Sequence, residues 1–278
     1  MKIAVLSGKG GTGKTFVSTN LSRVIEGSIY LDCDVEEPNG HLFLKGPVLE
    51  TNPVALPIPV IDHKLCDGCK KCVDFCQFNA LAYTGKRVLV FEKICHSCGG
   101  CEIICPQNAI KEIPREIGKI EKRSYEDTTL YTGILNTGEE SGTAIIGELL
   151  QRVSEEESVV IDCPPGSSCV VMDSIKDADY CLLVAEPSIF GAHNLKMVHE
   201  LVTLFEKPMG IVLNKTLGDE NPSEDYCREK GLEILLRIPW SDELGRYNAE
   251  GIIASDQKDE YRNMFTDLLS RIHEEVSV

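Results

Sequence analysis

Lys2-Ile3-Ala4-Val5-Leu6-Ser7-Gly8-Lys9-Gly10-Gly11-Thr12-Gly13-Lys14-Thr15 is the stretch whose reading decides the fold. Residues 2–6 form an apolar, β-rich run suited to a strand. A glycine loop follows, and Val17, Leu21, Val24 and Ile25 then recur at helical spacing between Thr15 and Glu26. Strand, glycine loop and helix in that order make a phosphate cradle. The glycines let backbone N–H groups curl round phosphate oxygens at the helix N-terminus. Lys14 neutralises the β- and γ-phosphates, and the Thr15 hydroxyl is suited to Mg²⁺. Gly8, Lys9, Gly10, Gly11, Thr12, Gly13, Lys14 and Thr15 are therefore the expected nucleotide-binding residues.

Working outward, a second apolar run at residues 29–33 follows Gly27 and completes a βαβ unit. Strands read again at 159–162, 180–185, 210–214 and 233–238, with helices between them and an amphipathic helix near 261–273. Residues 118–136 read as a β-hairpin returning to the sheet, and Gly142 precedes a helix ending near Arg152. The fold expected is α/β, a doubly wound, mostly parallel sheet. Its 278 residues carry 28 Lys and Arg against 44 Asp and Glu, a net charge of −16. That balance argues against sequence-independent binding to nucleic acid, which needs a basic face. No run of about 18 apolar residues is present and the first apolar stretch is too short for a signal peptide, so a soluble, cytoplasmic protein is expected. The acidic stretch 256–275 lacks the basic face of a membrane-bound helix, so no membrane partner is expected.

Thirteen cysteines are then the anomaly, because a reducing compartment favours metal over disulfide. Eight of them lie between Pro57 and Arg115, after a stretch studded with Pro47, Pro53, Pro57 and Pro59 that reads as a linker. Residues 60–115 carry eight basic and six acidic side chains, against 20 and 38 in the rest of the chain. Composition and charge thus mark an insertion, residues 57–115, within a domain made of 1–56 and 116–278.

Cys66, Cys69, Cys72 and Cys76 form a Cys-x2-Cys-x2-Cys-x3-Cys run, and Cys95, Cys98, Cys101 and Cys105 repeat it, with Pro106 after the last. Three cysteines at three-residue intervals wrap three corners of a cubane, while the fourth points to the other cluster. Two [4Fe–4S] clusters are expected, one on Cys66, Cys69, Cys72 and Cys105, the other on Cys76, Cys95, Cys98 and Cys101. Zinc could use the same thiolates, but an eight-cysteine repeat suits two cubanes better. The insertion resembles the bacterial two-cluster ferredoxins, small α+β domains, including Asn79-Ala80 and Asn108-Ala109 at equivalent offsets. It departs from them at Gln77, where they usually carry proline, and His96 reads as a hydrogen-bond donor rather than a ligand.

Lys9 makes the glycine loop a deviant Walker A motif, and here the chain resembles the MinD/ParA family of P-loop ATPases, which includes the nitrogenase iron protein and Mrp-type cluster carriers. The resemblance implies ATP and ADP as ligands and a nucleotide-sandwich homodimer in which Lys9 reaches the partner's phosphates. It also implies an ATPase, with Lys9, Lys14 and Asp34 as catalytic residues: Asp34 orients the attacking water, and Thr15, Asp32 and Asp162 stand around Mg²⁺. Asn214 resembles the residue that reads adenine, and Pro239 the loop bordering the base. Phe16 departs from the family, which generally has a hydroxyl there touching the α-phosphate. Cys169 falls where the nitrogenase iron protein places a cluster-bridging cysteine, but without an evident second ligand it reads as a structural or inert thiol.

The function implied is an ATP-hydrolysing iron–sulfur protein acting in iron–sulfur or metallocofactor assembly, with an apo-metalloprotein as partner. The alternatives are ATP-gated electron transfer to a redox partner and a positioning ATPase with a structural ferredoxin module.

Overall fold

In the computed structural model, which describes residues 1–218 and 221–276, strand β1 (Lys2–Leu6) lies at the centre of a sheet covered on both faces. Its alternation divides the core. Ile3 and Val5 face one helical layer and Ala4 and Leu6 the other, as a two-residue period requires. The first half of the chain continues with α1 (Lys14–Arg23), β2 (Ile29–Asp32), α2 (Gly40–Phe43) and β3 (Val48–Ile61). Next come α3 (Lys71–Phe75), β4 (Leu81–Tyr83), β5 (Val88–Val90), α4 (Gly100–Ile104), β6 (Ile110–Tyr125) and β7 (Thr128–Leu135). The second half runs through α5 (Thr143–Leu150), β8 (Val159–Asp162), α6 (Cys169–Ile175), β9 (Tyr180–Ala185), α7 (Ile189–Leu204) and β10 (Met209–Thr216). It closes with α8 (Pro222–Lys230), β11 (Ile234–Pro239), α9 (Asp242–Glu250), α10 (Ala254–Gln257) and α11 (Asp259–Val276).

The main sheet has the order β11-β10-β9-β1-β8-β2-β7-β6-β3. Strands from β11 to β7 are parallel, while β6 and β3 each run antiparallel to their neighbour. One face packs on α5, α6 and α7 through residues such as Ile145, Ile175 and Val198; the other packs on α1, α9 and α11 through Val17, Leu244 and Phe265. This is the parallel α/β layering read from the sequence, and the carboxyl ends of β1, β2, β8 and β10 converge at the glycine loop.

The proline-studded stretch is not a linker. It is β3, a 14-residue strand paired with β6 from Val48 opposite Arg123 to Ile61 opposite Ile110. Prolines lack the N–H that a central strand needs on both sides, but β3 is the edge of the sheet and one of its sides needs no partner. The hairpin expected over 118–136 also begins earlier, because β6 starts at Ile110. The two strands run unbroken past residues 57 and 115. Beyond them, residues 62–109 fold round a small separate core of Ile61, Cys72, Leu81, Val88, Cys101 and Ile110.

Candidate functional site

Helix α1 starts where Gly13 takes a left-handed φ of 95°. A Cβ on Gly13 would stand 2.1 Å from the Asn214 amide nitrogen, so the loop is closed down on β10 as tightly as glycine allows. Residues 9–16 line a cavity of about 950 Å³ that also touches Asp34, Pro164, Asn214 and Pro239. Its size falls in the range of small-molecule sites.

Beneath the loop, three hydrogen-bond donors converge on Asp162 at the end of β8. The Lys14 ammonium donates to Oδ1 at 2.7 Å, the Thr15 hydroxyl to Oδ2 at 2.7 Å and the Tyr30 hydroxyl to Oδ2 at 2.8 Å. Burial works to lower the Lys14 pKa, but Asp162 and Asp34 outweigh it and hold the ammonium above its ordinary value. Asp34 lies 3.8 Å from the Lys14 ammonium. Burial, opposed by Lys14 and reinforced by Asp162, pushes its carboxyl up to about 6. Asp32 is wholly buried, and its Oδ2 accepts the Gly40 N–H at 2.8 Å. Its Oδ1 has no partner. Burial and Asp162 push this carboxyl up to about 8. The Thr15 hydroxyl with the Asp162 and Asp32 carboxyl oxygens, one of them without a partner, is an oxygen donor set suited to a hard cation, so the residues fit Mg²⁺.

Lys9 is ion-paired within the same chain to Glu186, whose other oxygen lies 4.0 Å from Lys215. Lys215 also donates to the Gly11 carbonyl at 2.6 Å. Asn214 donates its amide to the Thr12 carbonyl at 2.8 Å, and its Oδ1 accepts the Lys215 N–H. Both polar ends of Asn214 are thus engaged inside the chain. Phe16 is turned into the core, 4% exposed and edge-on to Phe265. The cavity thus gains no hydroxyl at that position.

The sequence matches the CobQ/CobB/MinD/ParA nucleotide binding domain over residues 3–253. The chain belongs to that family. It is 31% identical over 279 residues to the uncharacterized protein MJ0578 of Methanocaldococcus jannaschii, covering 99% of this chain and 97% of that one. An uncharacterized ATP-binding protein of the same organism, MJ0823, is 26% identical over 261 residues, covering 88% and 87%. Among solved structures, the septum site-determining protein MinD of Pyrococcus horikoshii OT3, complexed with Mg-ADP, superposes with a TM-score of 0.62 at 18% identity, covering 98% of this chain and 95% of that chain. The cell division ATPase MinD of Pyrococcus furiosus gives 0.61 at 19%, covering 98% of each. At that identity the likeness is one of fold. No helix among the described residues is long and apolar enough to cross a membrane.

The MinD/ParA family assignment leaves the cysteines to be judged on their own geometry. None of the thirteen is joined in a disulfide. Cys66, Cys69, Cys72 and Cys105 line one small cavity. Burial above all, with Cys105 and Cys66 adding, pushes the Cys72 thiol up. Burial, with Cys95 adding, pushes Cys101 up to about 11. The two halves repeat in backbone as well as sequence. Left-handed φ at Gly68, Lys70 and Asn79 recurs at the equivalent Ser97, Gly99 and Asn108. Cys76 Sγ accepts the Ala80 N–H and Cys105 Sγ the Ala109 N–H, each at 3.3 Å. Left-handed lysine and serine are strained, and such strain gathers where a chain must wrap a ligand. Among the described residues no three His, Cys, Asp or Glu side chains converge on a point for one ion. Cubane ligands each hold a different iron and need no such point. Four thiols round one small cavity, Cys66, Cys69, Cys72 and Cys105, are a donor set of the kind a cubane takes. His96 stacks on Phe78, with ring centroids 3.7 Å apart. Cys169 is exposed at the start of α6.

One connection was invisible in the sequence. Val35, next to Asp34, accepts the Leu135 N–H through its carbonyl at 2.9 Å. The loop after Leu135 then reaches the cysteine-bearing segment. Arg115 grips Glu139 with both prongs, at 2.6 and 2.8 Å, and Lys93 donates to the Gly138 carbonyl at 3.0 Å. Glu139, with Cys95 among the lesser contributors, holds the Arg115 charge above its ordinary value against burial. Glu186, Lys215 and Tyr30 were likewise missed. A tyrosine in an apolar strand reads as core, and the two charged residues lie over 170 residues from the loop they touch.

Proposed function

We propose that the protein is a Mg²⁺-dependent ATPase that dimerises round its nucleotides and carries two [4Fe–4S] clusters in a ferredoxin-like module at residues 57–115, within an ATPase domain of residues 1–56 and 116–278. Its task in this reading is iron–sulfur or metallocofactor assembly, with an apo-metalloprotein as recipient. The observation that carries it is the joining of the two sites: residues 135–142 touch Val35 at the nucleotide cavity and Arg115 and Lys93 beside Cys95. Exposure of Cys69 and Cys98 leaves an edge of each cysteine set open, as delivery of a cluster requires.

In the reaction, water attacks the γ-phosphorus, the bond to the β–γ bridging oxygen breaks, and ADP, inorganic phosphate and a proton result. The residues that would hold the nucleotide are 8–15, with Pro239 and Asn214 at the far end of the cavity. Lys14 balances charge on the departing phosphates, and Asp34 orients the water and accepts its proton. Thr15, Asp32 and Asp162 would hold Mg²⁺, which when bound neutralises the β- and γ-oxygens. Lys9 would leave Glu186 and reach the phosphates of the partner. Cys66, Cys69, Cys72 and Cys105 would hold one cubane and Cys76, Cys95, Cys98 and Cys101 the other.

The second reading is ATP-gated electron transfer to a redox partner. Burial of Cys72 and Cys101 in the module's core favours it, because buried ligands suit resident clusters. One experiment separates the two. The protein is loaded with radiolabelled iron and sulfide, and mixed with an apo-ferredoxin acceptor under argon. In the assembly reading, label moves to the acceptor with Mg-ATP, and Lys14→Ala abolishes the transfer. Label that stays put while Mg-ATP accelerates reduction of a holo-acceptor selects electron transfer. Protein that binds neither iron nor ATP refutes both.

A further inference from the structure

The nucleotide cavity has two chemically different ends. One holds Asp34, above the Asp162 and Lys14 pair, and suits phosphates with their cation. The other is walled chiefly by Pro239, Trp240, Leu244 and Ala249, at the end of β11 and along α9, with Asn248 and Glu250 at its rim. A flat, uncharged base belongs at the second end, since it gains nothing from carboxylates and much from apolar surface. Trp240 is the single tryptophan of the chain. Its backbone is fixed by an N–H bond to the Thr216 carbonyl at 2.9 Å, yet the residue is 57% exposed. Among the described residues no other ring packs against it. Gly245, on the same wall, has open space where a side chain would stand. Helix α9 is itself held in place, starting where Ser241 accepts the Leu244 N–H and stopping at Gly251 with a φ of 61°. The side chain expected to read the base, Asn214, is engaged at both polar ends with Thr12 and Lys215.

We propose that Trp240 is the platform on which the base of the bound nucleotide stacks, so that ring overlap is a main source of base affinity at this site. This deepens the nucleotide-site reading above and rests on it. A free indole face on a rigid backbone offers contact with little ordering entropy, and aromatic stacking accepts any base with a π-face.

The test measures binding of Mg-ATP and of inorganic tripolyphosphate, which has no base, to anaerobically prepared full-length protein by calorimetry. Replacing a stacking aromatic with alanine weakens base binding by about 5- to 150-fold. Trp240→Ala should therefore weaken Mg-ATP by that factor and leave tripolyphosphate within about twofold. Trp240→Phe, which keeps a ring, should recover most of the loss. The tryptophan emission of wild-type protein should change with Mg-ATP and not with tripolyphosphate. Unchanged ATP affinity in Trp240→Ala overturns the proposal, and so does an equal loss for ATP and tripolyphosphate, which would mark Trp240 as merely structural. Wild-type protein that fails to bind ATP at all overturns the nucleotide reading itself, and that result needs no variant.

Discussion

Under the proposed function, nucleotide at Lys14 and a cluster at Cys95 should influence each other through Glu139, and Glu139→Gln is the perturbation that tests it. Glutamine keeps the size and leaves Arg115 a neutral acceptor in place of a carboxylate. The wild-type pair is two-pronged, at 2.6 and 2.8 Å, with side chains only 20% and 11% exposed. Exposed ion pairs contribute about 0.2–1 kcal/mol, and a bidentate, half-sheltered pair belongs at the upper end of that range. The bridge can then transmit at most about 1 kcal/mol. For a one-electron couple, where 59 mV is about tenfold, the ceiling is a shift of about 40 mV in cluster potential. Coupling is reciprocal, so oxidised and reduced protein should differ in ATP affinity by about fivefold at most. Redox titration followed by EPR, with and without Mg-ATP, reads the first quantity, and calorimetry on oxidised and reduced protein reads the second. The cluster on Cys76, Cys95, Cys98 and Cys101 should move and the other should move less. In Glu139→Gln both effects should shrink together. A shift of full size in that variant would refute the route, because coupling would then travel by some path that ignores residues 135–142.

Lys9→Ala should leave Mg-ATP affinity nearly intact while removing dimer-dependent hydrolysis, read as turnover against protein concentration; full turnover would contradict a cross-subunit role. Glu186→Gln should act oppositely, because it frees Lys9 from its partner in the single chain, and sedimentation should show dimer at lower ATP. Cys105→Ala should take away four of eight irons at first, by iron assay and EPR, and an unchanged count would contradict the ligand sets. Gly13→Ala forces a left-handed alanine, about 1–2 kcal/mol, and pushes the Asn214 amide off Thr12, about 1 kcal/mol more. Urea unfolding should therefore show a loss of roughly 2–3 kcal/mol; a loss under 0.5 kcal/mol would mean that the Gly13 backbone is relaxed rather than held by β10.

The parallel sheet and the glycine loop were legible because they are written in local pattern. Residues 2–6, 159–162 and 180–185 are short apolar runs that only a buried strand accommodates, and Gly13 supplies a backbone angle that few other residues tolerate. The internal repeat was legible for the same reason, since its cysteine spacing is local, and the backbone repeats with it at residues 68, 70 and 79 and again at 97, 99 and 108. What could not be read was pairing over distance. Residues 48–61 looked like a linker because prolines weaken a strand, and nothing local says that this strand lies at an edge, where the weakness is harmless. Glu186 beneath Lys9, and Glu139 against Arg115, are ion pairs made only when remote loops meet.

The edge position of β3 also explains how a module can be joined to this fold without being loose. A central strand could not leave the sheet without stranding its neighbours' hydrogen bonds, whereas the β6–β3 pair extends outward and, past an irregularity between Val54 and Ala55, keeps pairing to Ile61 and Ile110. The pair is anchored through β7 to β2, and β2 carries Asp32 at its end with Asp34 two residues beyond. The cysteine-bearing segment is thus a continuation of the strand system that borders the phosphates. A flexible tether would let it ignore the nucleotide. A hydrogen-bonded arm with a second contact at Glu139 cannot tilt without moving either Val35 or the Arg115 pair, so any coupling between the two ends has a physical route whose ceiling is about 1 kcal/mol.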